Sequence, residues 1–257
     1  MKIIISDFIG GIVSLVFSQV LIKIFGIIYS LYLTNRAGFG DTGNAIYMSG
    51  YQIYALLLTV SSIGVPNAIA KLISEKRALN DYINAERILK IAIFLFAIIG
   101  LLGCMILFFG SDYISKVILE IPDAKLSLMV LSPAVFFVSI TSVIKGFCNG
   151  TSKITITAKT QLLEQFFKSI LTIGFVEIFS KFSNNNTKIM AAGANLATTI
   201  ATFFSFLYIM QKYLKMPETA KTAVGLPVCF LVLPSLEAYS RILPKDIKIR
   251  TSEKRKS

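Results

Sequence analysis

Apolar residues follow one another along this chain in six long stretches separated by short polar connections, and each stretch is long enough to cross a bilayer as a helix, for which about 20 residues suffice. They lie at about residues 8–33, 44–70, 91–110, 126–147, 154–179 and 189–213. The first exceeds a signal-peptide core and has no small-residue cleavage site, so it reads as a retained helix, with Gly10, Ser14 and Ser18 as a face for close packing. The second contains Gly64-Val65-Pro66-Asn67. Proline removes a backbone donor, so a kink is predicted there. Residues 34–43 form a glycine-rich turn, and residues 71–90 a polar connector. The third stretch is almost purely apolar and predicts a lipid-facing or packing helix. The fourth ends in Gly146 and Gly150, a spacing of four that favours close helix contact, and the sixth carries Gly193, Ala197 and Ala201 at the same spacing. Residues 223–239 are apolar but hold Pro227, Pro234 and Glu237, which predicts a re-entrant or surface segment and not a seventh full span.

Polar positions inside these stretches are few and periodic. On the fifth helix Gln161, Glu164, Gln165, Lys168 and Thr172 fall on one stripe, and on the fourth Ser142, Lys145 and Asn149 form another. The first helix supplies a third in Gln19, Lys23, Gly26 and Ser30. An ionisable side chain at the centre of a bilayer costs about 2.5–3.5 kcal/mol, so it normally faces a partner or a water-filled cavity. Three wet faces with Lys23, Lys145 and Lys168 are therefore expected to line one interior. Two plainer readings stand beside this: Lys145 lies near enough to the end of its run to snorkel, and a deep lysine can be neutralised by a neighbour such as Glu164. Glu164 sits four residues before Lys168, the favoured order for an ion pair along one helix, and Lys23 is its other expected partner, across the helix interface.

With 54% hydrophobic and 16% charged residues, the composition is that of an integral membrane protein. A net charge of +12 raises nucleic acid as a partner, but the basic residues are scattered through the connections, which suits membrane topology and not a nucleic-acid groove. With the amino terminus inside, the connections on that side hold ten Lys or Arg and those opposite hold five. Both termini are therefore expected in the cytoplasm, because the tail from Arg241 onward is strongly basic. The absence of histidine excludes histidine-based catalysis, and Cys104, Cys148 and Cys229 have no metal-ligand spacing. No nucleophile, base and orienting group converge, so neither an enzyme nor a cofactor is expected. In a chain without tryptophan, Tyr29, Tyr32, Tyr47, Tyr51 and Tyr54 are expected to form an interfacial belt.

Three motifs in order resemble a known family. They are Lys23-Ile24-Phe25-Gly26-Ile27-Ile28-Tyr29, then Gly40-Asp41-Thr42-Gly43-Asn44-Ala45-Ile46-Tyr47, then Ser62-Ile63-Gly64-Val65-Pro66-Asn67-Ala68-Ile69-Ala70-Lys71-Leu72-Ile73-Ser74-Glu75. Together with Ile144-Lys145-Gly146-Phe147-Cys148-Asn149-Gly150 and Gln161-Leu162-Leu163-Glu164-Gln165, they resemble the polysaccharide biosynthesis family typified by stage V sporulation protein B. The likeness covers about residues 14–213. It implies a lobe of the multidrug, oligosaccharidyl-lipid and polysaccharide exporter superfamily, related to lipid II flippases, with two such lobes around a cationic cavity for lipid-linked sugar pyrophosphates. By that resemblance Lys23, Lys145 and Lys168 are the cavity cations and Arg36 stands at the outer mouth.

The expected fold is thus an all-α, six-helix transmembrane lobe over residues 1–215, with a partial seventh segment and basic tail over residues 216–257. The expected cavity set is Lys23, Lys145, Glu164, Lys168, Arg36, Gln19 and Gln161. Three functions fit: flipping of a lipid-linked oligosaccharide or peptidoglycan precursor by a truncated half, an inactive or structural lobe, and cation-coupled drug antiport. The last needs deep carboxylates, of which Glu164 is the one candidate well inside a span. Expected partners are a lipid-linked sugar pyrophosphate, membrane lipids, and a second copy or second lobe, since alternating access needs two lobes about a shared site.

The topology is open to direct test. In a variant lacking the native cysteines, a cysteine introduced by Ser257→Cys is expected to resist membrane-impermeant thiol reagents in intact cells. Strong labelling there would place the tail outside and make residues 223–239 a full span.

Overall fold

Away from water a chain can satisfy its backbone groups internally only as helices or closed barrels, and stretches as long and apolar as these form helices. The computed structural model describes residues 2–62 and 64–216, and among them the chain is helical with no strand. The expected seventh segment and basic tail lie outside the described residues. The elements are α1 (Lys2–Asn35), α2 (Gly40–Ser62), α3 (Gly64–Ala78), α4 (Tyr82–Phe109), a single turn α5 (Ser111–Tyr113), α6 (Lys125–Gly150), α7 (Ile154–Phe182) and α8 (Thr187–Leu214). All belong to one compact unit spanning Met1–Thr222.

Among the described residues five helical stretches are long and apolar enough to cross a membrane: α1, α2 with α3, α4, α6 and α8. The sixth expected span, α7, has the length at 29 residues but carries Lys159, Glu164, Lys168, Glu177 and Lys181. It is the charged element of the bundle. α6 is the central one, with 72% of its apolar stretch buried, whereas α1 and α4 bury 6% and 11% of theirs. α4 exposes Leu101, Leu102, Ile106 and Phe109, a surface suited to lipid.

Small residues let the helices approach. A Cβ on Gly146 would stand 2.8 Å from the carbonyl oxygen of Pro66, and one on Gly150 would stand 2.7 Å from that of Ala70, so the spacing of four packs α6 directly on the backbone of α3. The seam of α8 is likewise interior, with Ala197 and Ala201 fully buried. Between helices, Asn195 donates to the Tyr47 carbonyl at 3.3 Å and Thr199 to the Val130 carbonyl at 2.6 Å, which ties α8 to α2 and to α6.

One expectation changes, and the second span is described in two parts, α2 to Ser62 and α3 from Gly64, with Pro66 inside α3. The polar connector at residues 71–90 is mostly helix. α3 continues through Lys71, Lys76 and Arg77 because Ile69 and Ile73 bury one side while the charges face out, and α4 begins at Tyr82 behind Asp81, which accepts from the Asn84 amide at 3.2 Å.

Filling the contact between α6 and α3 is expected to separate the helices. Gly150→Val should lower stability by about 1–3 kcal/mol, read as a lower melting temperature of detergent-solubilised protein. Gly174→Ala, which meets nothing within 4 Å, is the matched control and should melt at or slightly above wild type.

Candidate functional site

The polar stripe of α7 meets three neighbours, because α7 packs between α1 and α8 and borders α6. Lys168 lies within the bundle at 4% exposure. Its ammonium stands 3.8 Å from the ring centroid of Tyr51 on α2 and 5.4 Å from that of Tyr29 on α1. No carboxylate forms an ion pair with Lys168 among the described residues. Two aromatic faces therefore house the cation in place of a contacting carboxylate.

Beside it opens a cleft of ≈ 560 Å³ between α1, α2 and α7. Lys23, Ser30, Tyr29, Tyr51, Gln165 and Lys168 supply its polar lining, and no acidic residue faces it. Lys23 is exposed on the α1 side. The cleft thus carries two positive charges against none of the other sign. Hydrogen bonds hold its wall: Ser169 donates to the Phe25 carbonyl at 3.1 Å, and the Gln19 amide to the Gln161 side-chain oxygen at 2.9 Å, both joining α1 to α7.

The expected cavity set divides three ways. Lys23 and Lys168 share the cleft. Gln19 and Gln161 bind each other along the α1–α7 contact and are not part of the cleft lining. Lys145 and Glu164 pair with one another, nitrogen to oxygen 3.6 Å, and Ser205 of α8 donates to the same carboxylate at 3.1 Å. Glu164 therefore pairs with neither Lys168 nor Lys23, because the bundle brings the stripe of α6 against that of α7 and Lys145 reaches it first. Thr157, donating to Asn149 at 2.8 Å, continues this α6–α7 contact.

Arg36 is engaged as well. Its guanidinium meets both oxygens of Glu177 at 2.6 and 3.0 Å, reaches Ser180 at 3.2 Å, and Tyr32 donates to the same carboxylate. A bidentate guanidinium–carboxylate contact is geometrically specific. Here it fastens the end of α1 to α7, so the Arg36 guanidinium is paired within the bundle. The tyrosines expected at an interface also differ: Tyr47 and Tyr54 are fully buried and Tyr51 turns toward Lys168. Their positions at offsets 0, 4 and 7 place them on one helix face, a signal available in the sequence. Among the described residues no group of His, Cys, Asp and Glu converges to hold a metal.

The family model for polysaccharide biosynthesis proteins matches residues 8–228. Among curated relatives, the lipid II flippase MurJ of Bacillus subtilis (strain 168) is 26% identical over 217 residues, covering 78% of this chain and 40% of that one. Stage V sporulation protein B of the same organism is 26% identical over 170 residues, 66% of this chain and 32% of the relative. An uncharacterized membrane protein, YabM, also from that organism, is 27% identical over 168 residues, 64% and 30% of the two chains. The chain thus spans two-fifths or less of the length of these relatives. No solved structure matches it significantly.

The Lys145–Glu164 pair makes its own prediction. Glu164→Gln leaves a largely buried ammonium without its partner, which should cost about 1–3 kcal/mol, less than a wholly buried pair because Glu164 retains some exposure. The double variant with Lys145→Gln should recover part of the loss. Equal melting temperatures for wild type and Glu164→Gln would show that the pair contributes nothing.

Proposed function

The chain belongs to the polysaccharide biosynthesis protein family, and from that premise we propose that it forms one lobe of a membrane flippase whose cleft receives the anionic head of a lipid-linked sugar precursor. The observation that carries this reading is the uncompensated charge of the cleft, where Lys168 and Lys23 stand without an acidic neighbour in the lining. Lysine acts on phosphate as a point charge, and a pyrophosphate offers that charge in compact form. In a site partly withdrawn from water the attraction is stronger than at a surface.

The tyrosines give the cation a resting place. The Lys168 ammonium is held over Tyr51 at 3.8 Å. An incoming pyrophosphate competes with that ring and replaces a contact worth about 2 kcal/mol with a charge-assisted one. Gln165 and Ser30 add neutral hydrogen-bonding groups at the same lining. No covalent step is involved, so the proposed work is binding and reorientation. Alternating access about such a site needs a second lobe facing the cleft. A drug-and-cation antiporter would need a deep carboxylate free to exchange, and Glu164 is held by Lys145 and Ser205.

Binding of a polyprenyl-pyrophosphate sugar to purified protein tests the proposal. Lys168→Gln and Lys23→Gln should each weaken it by about 1.5–3 kcal/mol, roughly 10- to 150-fold. Unchanged affinity in both variants would remove the cleft from the site. A folded wild type that binds no such lipid would leave the chain an inert lobe.

A further inference from the structure

A second concavity lies on the opposite side of α7, away from the cationic cleft. It is a groove of ≈ 460 Å³ along the outer seam of α7 and α8, lined by Leu163, Phe167, Phe204, Leu207, Tyr208 and Gln211. The Phe167 and Phe204 rings stack at 5.0 Å and 24°, forming its floor. From Phe204 to Gln211 the groove follows seven residues of helix, about 10 Å. Its polarity is graded, since the aromatic end carries no polar group and the other end has the Tyr208 hydroxyl and the Gln211 amide.

That polar end is where α7 begins and α8 ends, because the two helices run antiparallel. Three lysines stand there, each one helical turn beyond a lining residue: Lys159 before Leu163, Lys212 after Tyr208 and Lys215 after Gln211. All three are exposed, and none forms an ion pair among the described residues. Lys212 already leans inward, its ammonium 5.6 Å from the Tyr208 ring. The nearest acid on α7, Glu164, is held by Lys145 and Ser205. On α4, by comparison, Lys90 pairs with Glu86 at 3.1 Å and Arg87 donates to the Asn84 side-chain oxygen at 3.3 Å.

We propose that this groove is a binding site for an anionic phospholipid, one acyl chain lying over Phe167, Phe204 and Leu207 and the phosphate resting among Lys159, Lys212 and Lys215. Basic pockets at the ends of membrane helices recognise acidic headgroups in this way, and the charge complementarity separates the site from ordinary lipid contact. On the expected topology the lysine end faces the cytoplasm. The site is independent of the cationic cleft and shares no lining residue with it.

The chain contains no tryptophan, so a single reporter can be placed in the groove. The purified full chain carrying Leu207→Trp is reconstituted with lipids brominated on the acyl chain, either phosphatidylglycerol or phosphatidylcholine, and quenching of the indole is measured. Brominated phosphatidylglycerol is expected to occupy the groove on the order of tenfold more strongly than brominated phosphatidylcholine. The preference should vanish when Lys159→Gln, Lys212→Gln and Lys215→Gln are combined, persist in Lys23→Gln with Lys168→Gln, and be absent at a reporter introduced by Leu101→Trp on α4. Equal quenching by the two lipids would overturn the site, as would a preference that survives the triple variant. Displacement of the brominated phosphatidylglycerol by a polyprenyl-pyrophosphate sugar at stoichiometric amounts would reassign the groove to the transported lipid.

Discussion

An ammonium group held inside an apolar helix bundle, with no ion-paired carboxylate among the described residues, constrains the rest of this structure. The bundle meets the cost of Lys168 with two aromatic faces, and that solution depends on where α2 lies. Gly50, one residue before Tyr51, is packed so tightly that a Cβ there would stand 2.9 Å from Ser127 on α6. Asn195 of α8 donates to the α2 backbone at Tyr47. Close approach to α6 and a hydrogen bond from α8 thus set the depth and rotation of α2, and with them the ring beneath the cation. The small residues of the interior are in this sense part of the site.

The other charges behave differently and explain how α1 is held. Lys145 with Glu164 and Arg36 with Glu177 are internally neutral, so they join helices without adding net charge. α1 buries little apolar surface, and its attachment to α7 runs through polar contacts at three heights: Gln19 with Gln161, Phe25 with Ser169, and Arg36 with Glu177. Apolar packing would resist separation in proportion to buried area, whereas these contacts are few and can exchange with water or ligand. Phe25 of α1 also meets Phe166 of α7 edge to face at 5.7 Å, so one aromatic contact stands among the polar ones.

Much of the architecture was legible in the apolar pattern. The helices start and stop within a few residues of the periodic stretches, because length and apolarity determine what must be helical away from water. Residues 71–90 were the exception, since polar composition marks exposure and not irregular backbone. The stripes on α1, α6 and α7 were also visible, yet their partners were not. Periodicity identifies a face but not the neighbour it meets, so Glu164 was matched with Lys168 on its own helix and not with Lys145 on the next. Arg36 and Glu177 are 141 residues apart, and nothing local links them. An amphipathic ring suits both a membrane interface and a cation, so the contact of Tyr51 with the buried Lys168 was not legible from the tyrosines alone.

Lys23 constrains whatever completes the cleft. It lies 12 residues before the end of α1 at Asn35, about 18 Å of helix, well beyond the reach of a lysine side chain snorkelling to the surface on that side. In the other direction the helix extends 21 residues to Lys2. An exposed ammonium at that depth facing hydrocarbon would cost about 2.5–3.5 kcal/mol or more, and Lys168 cannot share that burden because it is itself a cation. The open side of the cleft therefore borders water or an anionic group. Hydrocarbon is suited to the outer groove of α7 and α8, where the aromatic floor is apolar and the lysines stand at one end. The two faces of α7 consequently suit different surroundings, because one lines a cleft with two lysines and the other a groove floored by Phe167 and Phe204.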